Sequence, residues 1–305
     1  MRRLALAVAA LSIVLCAAPG ADAADATSFT LENGLHVTLK PVSAGDRVAI
    51  VVVFDVGEDH DPKRRSGISH LVEHCYVTSA AGNTKARTAG EYMQRYPQAW
   101  NAQTGARYTV IAVVVPATEL EAELVDAAAR MGDLRITQAD LDREIPRIHE
   151  ELASMFDSYS PLAATNRAAA QVRPSPEGGR KGGVIEHLEA LELEDVCAWH
   201  AKHYKPGNAR LVLVGPFDAA KARTTIEKHF GSLPRGEKAD LLEPVGPRTH
   251  PLPETGRRGG SGVELIDAVD LQRDFRVTLP APRAGVVGDQ RLVAHERDGR
   301  IRGVV

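Results

Sequence analysis

Cysteine is scarce in this chain of 305 residues: Cys16 lies in an apolar leader, and only Cys75 and Cys197 follow it. Two thiols are too few for a disulfide framework, so the fold must rest on an apolar core with at most one bridge. Basic clusters are missing as well. Lys and Arg number 37 against 40 Asp and Glu, the formal net charge is -3, and no Lys/Arg block stands out. Neither nucleic acid nor an anionic membrane surface is therefore an expected partner. Beyond the leader no apolar run reaches the roughly 20 residues that span a bilayer, so no membrane span is expected in the mature chain. The run Gly178-Gly179-Arg180-Lys181-Gly182-Gly183 lacks both the GxxxxGK[ST] order and a preceding strand, and reads as a flexible loop rather than a phosphate site. No Ser-His-Asp triad can be argued either.

What is present begins with that leader. Arg2 and Arg3 precede an apolar stretch from Leu4 to Ala18, then Pro19-Gly20 and the small-residue pattern Ala21-Asp22-Ala23. About 15 apolar residues are too short to cross a bilayer and suit a secretory signal peptide over residues 1–23. Leu15 before Cys16 is too bulky for a lipid-anchor signal. The protein is thus expected to be exported, periplasmic or secreted. At 44% hydrophobic and 25% charged, the remainder has enough apolar surface for one large domain or two smaller ones.

Alternating residues at Phe29 to Leu31 and Leu35 to Leu39 around Asn33-Gly34 predict a hairpin, and Val48 to Val56 a more buried strand. Helical periods follow at Gly67 to Ser79, Ala117 to Leu134, Gln138 to Tyr159, Leu193 to Tyr204 and Asp218 to Phe230, with strands at Tyr108 to Val115 and Arg210 to Val214. Thr137 and Asp140 have capping-box spacing. Strands and helices mix without a βαβ rhythm, which predicts an α+β fold: a mainly antiparallel sheet with helices on one face. Residues 27–235 form the expected main lobe. Pro and Gly concentrate over residues 236–262, read as a linker. Val263 to Ile266 and Phe275 to Leu279 read as strands opening a second lobe over residues 263–305, incomplete because roughly 40 residues cannot bury a core alone.

His70-Leu71-Val72-Glu73-His74 is an HxxEH pentad within a helical pattern. At 100° per residue Ile68, Leu71, Val72 and Cys75 form the core stripe, while His70, Glu73 and His74 share the opposite face. Two imidazoles at i and i+4 can reach one metal ion, with the carboxylate beside them. Such a pair can also be mere surface polarity. A catalytic zinc site usually has a third protein ligand. On the helix from Gln138, Glu144 and Glu151 flank an apolar stripe of Ile145, Ile148, Leu152 and Met155, whereas Glu150 points to solvent. Glu151 is the better ligand candidate. His200 continues the stripe of Leu193, Val196 and Cys197 and reads as a structural histidine.

These residues resemble the pitrilysin/insulinase family of inverted zincins. The likeness runs from about Phe29 to Gly236. Leu31-Glu32-Asn33-Gly34-Leu35 is similar to the family's opening hairpin, Gly67-Ile68-Ser69 precedes the pentad as expected, and Asn101-Ala102-Gln103-Thr104 resembles its Asn-Ala-x-Thr strand. The 76 residues between His74 and Glu151, the Glu144 to Glu151 spacing and Tyr204-Lys205-Pro206-Gly207-Asn208 also fit. The resemblance implies a zinc endopeptidase acting on peptides or unfolded polypeptide. One Zn2+ per chain would be held by His70, His74 and Glu151. Glu73 would be the general base toward a bound water whose pKa zinc lowers to about 7. Glu144 is implied as a supporting acid of the catalytic set, and Asn101 as a peptide-contacting residue. Two departures stand out: Pro146 interrupts the helix between the two acids, and the family's second lobe is a stub here. That leaves room for a second peptidase subunit, and for a rival reading as a catalytically inactive or accessory metal-binding subunit.

Overall fold

The computed structural model describes residues 26–97, 99–157, 163–164, 166–167, 182–239, 274–278, 291–297 and 300–304. The expected leader, most of the linker and the strand expected at Val263 to Ile266 lie outside them. Strands β1 (Thr27–Thr30), β2 (His36–Pro41), β3 (Arg47–Phe54), β5 (Trp100–Thr104), β6 (Thr109–Pro116) and β8 (Ala209–Gly215) build one sheet in the order β1-β2-β8-β3-β6-β5. Only β2 and β8 run parallel; the other pairs are antiparallel. Two short strands, β4 (Ala80–Ala81) and β7 (Leu134–Arg135), pair separately. A further antiparallel sheet of β9 (Asp274–Thr278), β10 (Arg291–Arg297) and β11 (Arg300–Val304) covers the strand expected near Phe275 and adds two in the charged tail.

The unbroken apolar run of β3 reflects its central place between β8 and β6. Val48, Ile50, Val52 and Phe54 enter the main core, while Ala49, Val51 and Val53 fall in separate clusters on the other face. The main core also takes residues from α1 (Ile68–Thr78), α3 (Leu120–Gly132), α4 (Gln138–Leu152), α5 (Ile185–Glu189), α6 (Leu193–His203) and α7 (Ala219–Phe230). Helices therefore cover one face of a mainly antiparallel sheet, as expected. The short α2 (Ala89–Arg95) sits beside β5, with Tyr92 against Trp100.

Helix α1 departs from the amphipathic expectation, because every one of its residues is buried, the His70, Glu73 and His74 face included. Both of its ends are held by polar side chains. Asp61 accepts from the Gly67 and Ser69 amides at 2.7 and 3.2 Å, and Arg130 donates to the Tyr76 and Ser79 carbonyls at 2.6 and 3.1 Å. Such partners satisfy amides and carbonyls that a helix end leaves free. Gly67 precedes the helix with φ +99°, and a Cβ there would meet Leu188 at 2.7 Å.

Helix α4 starts at the expected Thr137/Asp140 capping box. It stays continuous through Pro146, which is exposed, so its missing N–H costs a bond only on the solvent side. After Leu152 the chain widens into a π-helical turn over Ala153–Asp157. The buried stripe is also rotated from the expected one: Leu141, Glu144, Ile148 and Leu152 are buried, whereas Ile145 and Met155 are only partly so. Glu144 thus lies inside the stripe instead of flanking it.

Candidate metal centre

Helices α1 and α4 pack together and bring the pentad against the two acids. His70 Nε2 and His74 Nε2 lie 3.8 and 3.4 Å from the same oxygen, Glu151 Oε2. One ligand atom from each of the three residues lies within 4.8 Å of the others, so the trio could hold a metal ion. The outer nitrogens are already committed. His70 Nδ1 lies 2.9 Å from the Gly182 carbonyl and His74 Nδ1 lies 3.2 Å from Glu144 Oε2. A carbonyl or an ionised carboxylate can only accept, so both Nδ1 atoms carry protons and both Nε2 atoms face Glu151. Two imidazole nitrogens, each oriented from behind, and one carboxylate oxygen fit a catalytic zinc set.

The electrostatics follow from burial and pairing. Burial pushes the pKa of His70 down. Burial also opposes charge on His74, but its bonds to Glu144 and Glu151 outweigh that and raise it to about 9. Glu144 is fully buried, which alone would raise its pKa; the His74 bond and the Arg143 and Arg147 guanidiniums instead bring it down to about 2. Arg143 Nε donates to Glu144 Oε1 at 2.9 Å and Arg147 Nη1 to Oε2 at 2.8 Å. The bond to His74 lowers the pKa of Glu151.

Glu73 is buried beside the histidines, and Thr104 Oγ1 donates to its Oε2 at 2.8 Å. A cavity of about 430 Å³ opens here; Glu73 and Glu151 reach it together with Trp100, Asn101, Met93 and Gly182. Asn101 is exposed at its wall. Glu144 is not part of that wall and touches the site through His74. Glu150 is exposed, Cys75 is buried in the core stripe, and His200 is a core histidine whose Nε2 meets the Arg130 carbonyl at 2.9 Å. Cys75 and Cys197 are both free thiols.

Sequence reasoning missed Thr104, Arg143 and Arg147, and it misread Gly182 and Gly183. These two glycines, taken as part of a flexible loop, are buried, with φ +96° and +120°. A Cβ on Gly183 would meet Gly67 Cα at 2.7 Å. The available signal was the glycine pair itself, since adjacent glycines also mark a close backbone approach. Thr104 stood in the quoted Asn101 to Thr104 segment without a role.

Comparison with known proteins then decides the family. Residues 37–180 match the model described as insulinase (peptidase family M16), and residues 190–283 match the peptidase M16 inactive domain. The chain belongs to the pitrilysin/insulinase family. A Rickettsia felis protein named an uncharacterized zinc protease is 27% identical over 276 residues, 88% of this chain and 66% of the relative. A crystal structure of a protease from Helicobacter pylori superposes with TM-score 0.61 at 25% identity, over 73% of this chain and 53% of that one. The periplasmic protease PqqL of Escherichia coli shares the fold, with TM-score 0.62 at 18% identity over 72% of this chain and 25% of its own. The chain spans 66%, 47% and 53% of the lengths of three curated zinc-protease relatives. Among the described residues no helix is long and apolar enough to cross a membrane.

Proposed function

We propose that this pitrilysin/insulinase-family chain is an exported zinc endopeptidase that cuts peptides or unfolded polypeptide segments. In this reading residues 1–23 are the signal peptide, residues 27–235 the lobe carrying the site, 236–262 the linker and 263–305 the start of a second lobe. The carrying observation is the convergence of His70, His74 and Glu151 ligand atoms within 4.8 Å at the wall of a cavity that Glu73 also lines.

His70 Nε2, His74 Nε2 and Glu151 would hold one Zn2+. When bound, zinc supplies a Lewis acid that polarises the scissile carbonyl and acidifies water. Glu73 takes the proton of the attacking water and delivers it to the leaving amine, while the Thr104 hydroxyl fixes the carboxylate for both transfers. Glu144, ionised between Arg143 and Arg147, holds His74 with Nε2 inward. Its contribution is positioning, since it does not reach the cavity. Strand β5 pairs with β6 on one side, and its consecutive residues Trp100 to Thr104 border the cavity. An extended peptide adding to its other edge would run past Glu73, and Asn101 is placed to contact it.

The test measures zinc per chain and cleavage of a broad peptide library, with Glu73→Gln as control. One zinc, turnover in the parent, and zinc without turnover in the variant support the peptidase. Zinc with no cleavage by the parent, alone or beside a second peptidase subunit, supports the accessory role instead. Absence of zinc from the parent overturns both.

A further inference from the structure

The two histidines of the site are oriented by different means. His74 leans on a carboxylate of the neighbouring helix, but His70 leans on a backbone carbonyl 112 residues away, that of Gly182. A carbonyl orients a ring only if the backbone that carries it is fixed. The Gly182 backbone is held on both sides of its Cα: its carbonyl accepts from His70 Nδ1 at 2.9 Å, and its N–H, in the preceding peptide group, donates to Glu58 Oε1 at 2.9 Å.

Glu58 is itself anchored. It opens a 3-10 turn, Glu58–His60, that follows β3. Its amide donates to the Gly105 carbonyl at 3.0 Å and the next amide, of Asp59, to Ala106 at 2.7 Å, which fastens the turn to the β5–β6 connection. Glycine is required at the far end. A Cβ on Gly182 would lie 2.5 Å from Leu152 Cδ2 and 3.4 Å from His70 Nδ1, and φ +96° disfavours other residues. The Gly182 backbone therefore sits between the helix of the pentad and the residue next to Glu151.

We infer that Glu58 is a positioning residue of the metal site, acting through the Gly182 backbone to hold His70 in its Nδ1–H tautomer with Nε2 turned toward Glu151. This rests on the zinc-site reading and adds a residue to it. A partner behind a metal-ligating histidine typically changes metal affinity 10- to 100-fold when removed. Here that partner is one peptide group further out, so about tenfold is expected.

The experiment compares the parent, Glu58→Gln and Glu58→Ala in two readouts on the full chain. The first is zinc affinity by competition with a chromophoric chelator. The second is the tautomer of His70 in metal-free protein, read from the 15N shifts of its ring nitrogens and assigned with His70→Gln. Glutamine keeps an oxygen for the Gly182 N–H, so Glu58→Gln should bind zinc within about threefold of the parent and keep the Nδ1–H signature. Glu58→Ala should weaken zinc about tenfold and lose the single tautomer while its far-UV spectrum matches the parent. An unchanged tautomer or an unchanged affinity in Glu58→Ala overturns the inference. If Glu58→Ala fails to fold, loss of the tautomer signature in folded Glu58→Gln does so as well. A parent that binds no zinc yet shows the Nδ1–H tautomer defeats the zinc reading and, with it, any metal role for Glu58.

Discussion

The Thr104 hydroxyl donates to Glu73 Oε2 across 2.8 Å, joining the carboxylate in the middle of the pentad to edge strand β5. Both groups are buried, so the bond is little diluted by water. It leaves one carboxylate oxygen of Glu73 for a proton. Replacing Thr104 with Val keeps the shape and removes the donor. Turnover should fall by about tenfold or more, the rate equivalent of one hydrogen bond to a charged carboxylate, with zinc content unchanged. Steady-state cleavage alongside elemental analysis checks this. A Thr104→Val variant as active as the parent would remove Thr104 from the mechanism.

That bond also shows where the sequence was readable and where it was not. The pentad, its helix and the central strand follow from periodicity alone, because α1 and β3 differ so plainly in spacing. Glu151 was reachable because it lies on an identifiable helix edge. The burial of the whole of α1 was not, since the contacts that cover its polar face come from α4, β5 and Gly182, and no local pattern records them. Glu144 illustrates the same limit. A carboxylate is assigned to a helix edge by default, and only the convergence of Arg143, Arg147 and His74 makes its full burial affordable.

Glu144 gives the second prediction. Glutamine there retains an oxygen but loses the charge that binds two guanidiniums and the His74 Nδ1–H. Zinc affinity of Glu144→Gln should fall about 10- to 100-fold, because His74 loses its orienting anion. Chelator competition measures it, with thermal melting to confirm that the variant is folded. Equal affinity would mean that packing alone orients His74.

Zinc uptake should release a proton. With its pKa raised to about 9 by Glu144 and Glu151, His74 is protonated at pH 7 in the metal-free chain, yet a ligand imidazole must be neutral at Nε2. Calorimetric titrations in buffers of different ionisation enthalpy should give about one proton released per zinc at pH 7. The apparent affinity should weaken about tenfold for each pH unit lowered from 8 to 6. Proton-neutral binding would show that His74 is already neutral before the metal arrives.

His200 sets an acid limit on stability that is independent of the metal. Its ring is buried against the Arg130 carbonyl, and burial, with a smaller effect from Lys205, pulls its pKa down from 6.5 to about 3. Between those values the unfolded chain holds a proton that the folded chain refuses, so stability rises with pH across this window. The contribution is complete above about pH 6.5 and is lost as pH falls toward 3. A Gln side chain can keep a donor for the Arg130 carbonyl without titrating. The slope of unfolding free energy against pH between 6 and 4 should therefore be shallower in His200→Gln, by up to about 1.4 kcal/mol per pH unit. Urea denaturation at a series of pH values measures both slopes. Parallel slopes would mean that His200 takes up its proton in the folded state, which would require the Arg130 region to open to water before the core does.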